Sequence, residues 1–307
     1  MPQFTITNAL LDRIAVINQF TLSDSELAFT GIRGCIPVNY QDQSFKSNHD
    51  LNTIDINYRN PRCTLLQWGD DGKISAFPGS TVPHINNIIS ARNKNGLGAN
   101  CLMTGFYTDY RKGWHKAGAP SGHEAFRQNA PRPVRRSSDD LDYENDDRVE
   151  YDNPQDNFHC GWFGSMSAEL FASAGCQVVM GYPKCKKPNR VENTGPWKIF
   201  HDNAYSISQE SFPYMLLNGL EVLNIANNIN KKLVVRLRFG SSGYLVEELQ
   251  TALKTRNFYE GIIDGEFQER TFKAVLAFQK SVFGVDEADG IVGPMTAQAL
   301  NLVLPAL

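Results

Sequence analysis

The sequence predicts an α+β protein of two domains, a mainly β domain followed by a small helical one. Three observations carry this. At 307 residues the chain is long enough for two hydrophobic cores. Up to about residue 225 the apolar runs are short and bounded by Gly, Pro and Asn, as in strands joined by turns. From Arg236 onward apolar residues recur at helical spacing, punctuated by glycine. The expected boundaries are 1–225 for the first domain, 226–233 for a linker and 234–307 for the second domain.

Composition excludes several classes of function. Hydrophobic residues at 41% and charged residues at 21% describe an ordinary globular chain. A formal net charge of −3 gives no electrostatic argument for nucleic acid or an anionic membrane. No apolar run approaches the roughly 18–20 residues needed to span a bilayer. The N-terminus lacks the basic start and long apolar centre of a signal peptide, because Asp12, Arg13 and Asn18 interrupt it. Retention in the cytoplasm, export without a cleaved signal, or a signal missing from this sequence all fit. The six cysteines lack the paired C-x-x-C spacing of a zinc site and are expected to be buried thiols.

Leu10, Leu11, Ile14, Val16 and Ile17 predict one amphipathic helix. Phe29 to Ile36 reads as a strand ended by Pro37, and residues 39–54 as a polar loop. Thr64 to Trp68 and Lys73 to Phe77 flank Gly69-Asp70-Asp71-Gly72, a hairpin signal. Leu102 to Tyr107 predicts a further strand. Residues 117–157 are hydrophilic, with Pro131, Pro133 and an acidic run in which Asp140, Asp142, Glu144 and Asp146 alternate. That run lacks the glycine and terminal glutamate of an EF-hand, which favours a solvated acidic loop over a calcium site. Trp197 to Phe200 suggests one side of a helix, Phe212 to Leu217 a last strand, and Asn224 to Lys232 a connector.

One stretch carries chemistry: His159 followed by Ser173-Ala174-Gly175-Cys176-Gln177. A cysteine nucleophile needs a base, and histidine has a pKa near the working pH. Glycine before the thiol lets the backbone approach a substrate carbonyl, where N–H groups can hold an oxyanion. Cys160 is a competing thiol, but on a strand it would face away from His159 and into the core.

In the second domain Gly243 precedes Val246, Leu249 and Leu253, one helical face. Asp264-Gly265-Glu266-Phe267 and Asp289-Gly290-Ile291-Val292-Gly293-Pro294 each form an Asp-Gly turn before a helix, an internal repeat. Pro294 fits the first turn of the last helix. With R-L-R-F-G-S-S-G (236–243), L-Q (249–250), A-V-L-A-F-Q (274–279) and D-G-I-V-G-P-M-T (289–296), this region resembles the three-helix peptidoglycan-binding domain. That resemblance implies peptidoglycan as a partner, with Tyr259 and Arg270 as candidate groove residues.

The His159–Cys176 stretch in turn resembles the signature of L,D-transpeptidases of the YkuD type, in which a histidine precedes a Ser/Thr-His-Gly-Cys segment. His159, Ser173, Gly175 and Cys176 match it; Ala174 stands where that family has histidine. I-R-G (32–34), F-P-G-S-T (77–81), G-F-Y (105–107), G-W-H-K (113–116) and R-R-S-S-D-D (135–140) resemble a group of phage-associated and secreted proteins with the same S-A-G-C-Q variant. The resemblance implies a mainly β, L,D-transpeptidase-like domain without a cofactor. Cys176 would attack a stem-peptide carbonyl, His159 would act as base, Ser173 would orient the loop, and N–H groups at Gly175 and Cys176 would hold the oxyanion. His115, Tyr107, Trp162 and Arg135 are the candidate substrate contacts.

Transfer to an amine and hydrolysis both remain open. So do a non-catalytic wall-binding protein and a zinc wall peptidase, for which His115, His123, His159 and Asp109 supply ligand types but no H-E-x-x-H motif. The expected location is the periplasm or cell wall of a target bacterium. Delivery by phage lysis or a secretion machine, with an immunity protein in the producer, would suit such an effector.

Overall fold

The D-D-G turn is where local chemistry decides most. Gly72 holds φ +75, Gly69 N–H donates to the Lys73 carbonyl, and the flanking runs pair from Trp68↔Ile74 to Cys63↔Gly79. A computed structural model of the chain describes residues 1–22, 25–94, 97–137, 141–143 and 147–307. In the first domain these form β1 (Gln3–Thr7), α1 (Asn8–Ile17), β2 (Leu27–Arg33), β3 (Cys35–Pro37), β4 (Asn48–Thr53), β5 (Cys63–Gly69) and β6 (Ile74–Ser80). There follow α2 (Ile85–Asn93), β7 (Ala99–Leu102), β8 (Gly105–His115), β9 (His123–Gln128), β10 (Arg132–Ser137), β11 (Arg148–Asp152) and β12 (Phe158–Cys160). β13 (Gln177–Val179), α3 (Pro196–Tyr205), β14 (Ser211–Asn218) and α4 (Gly219–Asn227) complete it. The second domain holds α5 (Tyr244–Thr255), α6 (Glu269–Phe283) and α7 (Pro294–Leu300). The molecule is thus α+β.

Eight strands close a barrel in the order β12-β13-β6-β5-β2-β14-β8-β9, with three-stranded sheets β1-β4-β3 and β11-β10-β7 beside it. β5 and β6 are buried almost without interruption because both of their faces are covered. Leu65, Phe77, Phe29 and Leu216 join a cluster with Trp197 and Phe200 of α3. Leu66, Ala76, Ile32 and Leu217 join another with α1 and α4. All six cysteines are free and buried. Among the described residues no helix is long and apolar enough to cross a membrane.

Several expectations change. Gly34, at φ +75 with its N–H on the Arg62 carbonyl, splits the expected strand 29–36, and β3 leaves for the sheet with β4. β4 lies inside the stretch read as a polar loop, since pairing with β1 satisfies its backbone. Met103, whose N–H goes to the Pro133 carbonyl, divides β7 from β8. β9, β10 and β11 lie in the hydrophilic stretch 117–157, where no strand was expected. Their polarity misleads because β10 buries arginines that have partners. Arg132 pairs with Asp109 and lies over the Tyr107 and Tyr110 rings, and Arg136 pairs with Glu150 at 3.0 Å and Asp152 at 2.8 Å. The first residues of the expected connector belong to α4. Asp140, Glu144 and Asp146 lie outside the described residues.

In the second domain the repeat acquires a cause. Buried Gln250 accepts from the Asp264 and Gly265 N–H groups (3.0 and 3.1 Å) and donates to Asp264 Oδ1 and Thr271 Oγ1 (2.7 and 3.0 Å). Gln279 does the same for the second turn, accepting from Gly290 N–H at 2.9 Å and donating to Asp289 Oδ1 at 2.8 Å and Thr296 Oγ1 at 3.2 Å. Tyr259 is buried with its hydroxyl on the Ile262 carbonyl, so it is a core residue rather than a groove residue.

The domains share contacts at main-chain level. Phe106 N–H donates to the Phe239 carbonyl and Arg236 N–H to the Ile17 carbonyl, each at 2.9 Å. The barrel core continues without a break into Leu245, Leu249, Phe272 and Val275.

Candidate active site

Pairing of β9 with β12 and of β12 with β13 brings one end of four strands together. β8 ends at His115, which lies opposite His123 at the start of β9. β9 meets β12 at Phe126↔Phe158, and β12 runs parallel to β13 with His159 beside Val178. Side chains alternate along a strand, so Phe158 and Cys160 enter the core while His159 faces the cluster. Cys176 immediately precedes β13. One ligand-capable atom each of His115, His159 and Cys176 lie within 4.8 Å of one another. These residue types suit a soft metal as well as nucleophilic chemistry. The His115 and His159 rings stack with centroids 3.9 Å apart, and His123 sits 5.5 Å from each.

His159 Nδ1–H donates to the Cys160 carbonyl at 2.7 Å, which leaves Nε2 with the lone pair a base requires. Burial holds His159 well below the ordinary histidine range, reinforced by His115 and His123. Burial also takes His115 down to about 3, helped by His123 and Lys116. The thiol of Cys176 is pushed up, first by burial and then by the Asp156 carboxyl. Asp156 itself is raised to about 7 by burial, against an opposing hydrogen bond from Asn100. The resting site is therefore a neutral thiol among neutral imidazoles, and the thiol points to the Gln155 carbonyl at 3.7 Å.

The loop before the thiol is tightly held. Ser173 Oγ donates to the Cys176 carbonyl at 2.8 Å and accepts from Gly175 N–H at 3.2 Å. That bond occupies the Gly175 N–H and removes it from the expected oxyanion role. The Ser173 carbonyl accepts from His84 N–H (2.8 Å) and Asn87 Nδ2 (2.6 Å) at the start of α2. Gly175 has φ +139, and a Cβ there would stand 2.0 Å from Asn100 Nδ2 and 2.6 Å from Asp156 Oδ1, so only glycine fits. The side chain of Ala174, where the resembled family has histidine, is exposed.

Of the other candidates, Trp162 is at the site, half-buried at φ +60 with its ring 6.0 Å from His123. Tyr107 is a core residue whose hydroxyl donates to the Met103 carbonyl, so it is closed to a substrate. Arg135 is buried, with contacts to the Asp147 and Ala288 carbonyls at 3.5 and 3.2 Å, so its guanidinium is engaged within the protein. Asp109 is committed to Arg132.

Sequence reasoning missed Asn157, Asp156 and Asn100. Asn157 Nδ2 donates to His115 Nδ1 at 3.2 Å, and its Oδ1 accepts from Gln128 N–H at 3.0 Å. A polar Asp-Asn pair just before β12 was the available signal, hidden at the end of a hydrophilic stretch. Gln177 enters the sequence reading only as the last residue of the S-A-G-C-Q variant. It donates to the Gly175 carbonyl at 3.1 Å and accepts from Tyr214 at 2.8 Å.

Comparison with known proteins bears on the other end of the chain. Residues 242–300 match the family model described as "Putative peptidoglycan binding domain". The match takes in α5, α6 and α7. The protein is also 44% identical over 61 residues to the spore cortex-lytic enzyme of Bacillus subtilis (strain 168), a match covering 20% of this chain and 20% of that enzyme. This chain thus spans about a fifth of that relative's length. No solved structure matches.

Proposed function

We propose that the protein is a peptidoglycan-directed cysteine enzyme of L,D-transpeptidase or L,D-carboxypeptidase type. The observation that carries it is the convergence of Cys176 with His159 and His115 at one end of the barrel, in a chain with a peptidoglycan-binding domain. His159 Nε2 takes the thiol proton as sulfur attacks the carbonyl at the L-centre of a stem peptide, and returns it to the leaving amine of terminal D-alanine. Because the thiol is pushed up and the imidazole down, free thiolate is scarce, and proton transfer accompanies attack. Cys176 N–H faces the developing oxyanion, while Ser173 and Gly175 shape the loop. His115 and Trp162 border the substrate. An amine acceptor gives transfer and water gives hydrolysis. The binding domain raises the local concentration of wall polymer at the site.

Mass spectrometry of muropeptides incubated with the protein tests this. Loss or exchange of terminal D-alanine is expected, and Cys176→Ala should abolish it. Intact stems with both proteins, together with sedimentation on sacculi, would leave a wall-binding protein. A zinc peptidase is the second reading, favoured by the same His115–His159–Cys176 set; inactivation by chelator would select it.

A further inference from the structure

We propose that His115, His159 and Cys176 also form a soft transition-metal site, through which an ion such as Zn2+ reversibly blocks the nucleophile. This inference rests on the cysteine-enzyme reading for its consequence, but not for the site. Three ligand atoms of N, N and S type already lie within 4.8 Å of one another. A tetrahedral zinc with these ligands separates them by about 3.5 Å, so side-chain rotations of about 1 Å close the set. Thiolate and imidazole select zinc-like ions over magnesium or calcium.

The surroundings resemble those of a metal-bound histidine. His159 Nδ1–H is anchored on the Cys160 carbonyl, which orients Nε2 as a ligand. A second observation is independent of the triad. His123 is 1% exposed, its Nδ1–H goes to the Ser121 carbonyl at 3.0 Å, and its Nε2 has no hydrogen-bond partner among the described residues. His123 stands outside the set of mutually close ligand atoms, and its open buried acceptor beside the other two imidazoles suits a hydrogen bond from a metal-bound water. Asp156 is the acidic group near the thiol and Lys116 the basic one. Coordination of His115 through either ring nitrogen breaks its hydrogen bond from Asn157. On binding, the Cys176 S–H bond gives way to a sulfur–metal bond and the proton passes to solvent, so affinity falls in acid.

Titration of the chelator-treated full chain with Co2+ tests the site without reference to turnover. One equivalent is expected to produce a thiolate-to-cobalt charge-transfer band that Zn2+ displaces. The band should vanish in Cys176→Ser, and affinity should fall at least tenfold in His115→Ala, with folding checked by circular dichroism. Absence of the band at millimolar Co2+, or its persistence in Cys176→Ser, overturns the site. Muropeptide turnover is then compared before and after one equivalent of Zn2+. Activity only in the metal-free form supports blocking. Turnover unaffected by Zn2+ overturns blocking and leaves the cysteine enzyme standing. Turnover only with metal overturns both blocking and the cysteine reading, whereas binding without turnover in either form keeps the metal site and removes the enzyme.

Discussion

At Gly175 the backbone leaves no room for a side chain. Alanine there meets Asn100 and Asp156 at less than van der Waals distance and must adopt φ +139. Gly175→Ala is expected to cost about 2–5 kcal/mol in urea unfolding and to lower turnover at least tenfold. Asp156 carries the pH dependence of this pocket. Its folded pKa, about 7, exceeds its ordinary value of 3.8, so the folded state holds a proton the unfolded chain has lost. Its stabilising contribution is complete below about 4 and declines as pH rises toward 7. His115 has the opposite sign: its folded pKa, about 3, lies below 6.5, so its contribution is present above 6.5 and lost as pH falls toward 3. The two trends oppose each other in the intact protein. Asp156→Asn should therefore make the melting temperature rise more steeply between pH 4 and 7 than in the parent. Parallel profiles would remove Asp156 from this role.

The element that matters most is the turn into β13. Gln177 ties it down twice, holding the Gly175 carbonyl and receiving the Tyr214 hydroxyl inside the barrel. Gln177→Leu keeps a similar volume but leaves a fully buried tyrosine hydroxyl unpaired, a cost of about 1–3 kcal/mol. Alkylation of Cys176, followed by peptide mass spectrometry, should become faster as the loop loosens. An unchanged alkylation rate would mean that Ser173 alone holds the thiol. The strand neighbours explain why His115 belongs with this turn: β8, β9, β12 and β13 are adjacent in the barrel although their residues are distant in sequence. Asn157, one residue before β12, then reaches back to His115.

Across the whole molecule, one hydrophobic cluster joins the barrel to the C-terminal helices. Arg238 of the second domain is 1% exposed and forms a forked ion pair with Glu221 on α4, with Thr104 Oγ1 at 3.3 Å from the same guanidinium. Glu221→Ala strands that charge in the interface and is expected to cost about 3–5 kcal/mol. Thermal unfolding of the parent should show one transition for both domains, because the hydrophobic core is continuous across them. Two separated transitions in the parent would contradict that coupling.

The sequence by itself determined the features that depend on neighbours along the chain. The two Asp-Gly turns, the Gly69–Gly72 hairpin and the helical face of α5 are readable from spacing, whereas the clamps that Gln250 and Gln279 place on those turns came only with the structure. The juxtaposition of His159 with Cys176 was also expected, through a resemblance whose spacing this chain keeps. Only the tertiary structure decided the rest of the site. His115, Asn157, Asp156 and Asn100 meet because particular strands lie side by side, and strand order leaves no mark in local periodicity. It also decided which polar residues are buried. Arg132, Arg135 and Arg136 look like solvent-facing groups in a hydrophilic stretch, but carboxylates and backbone carbonyls brought in from other elements make their burial favourable.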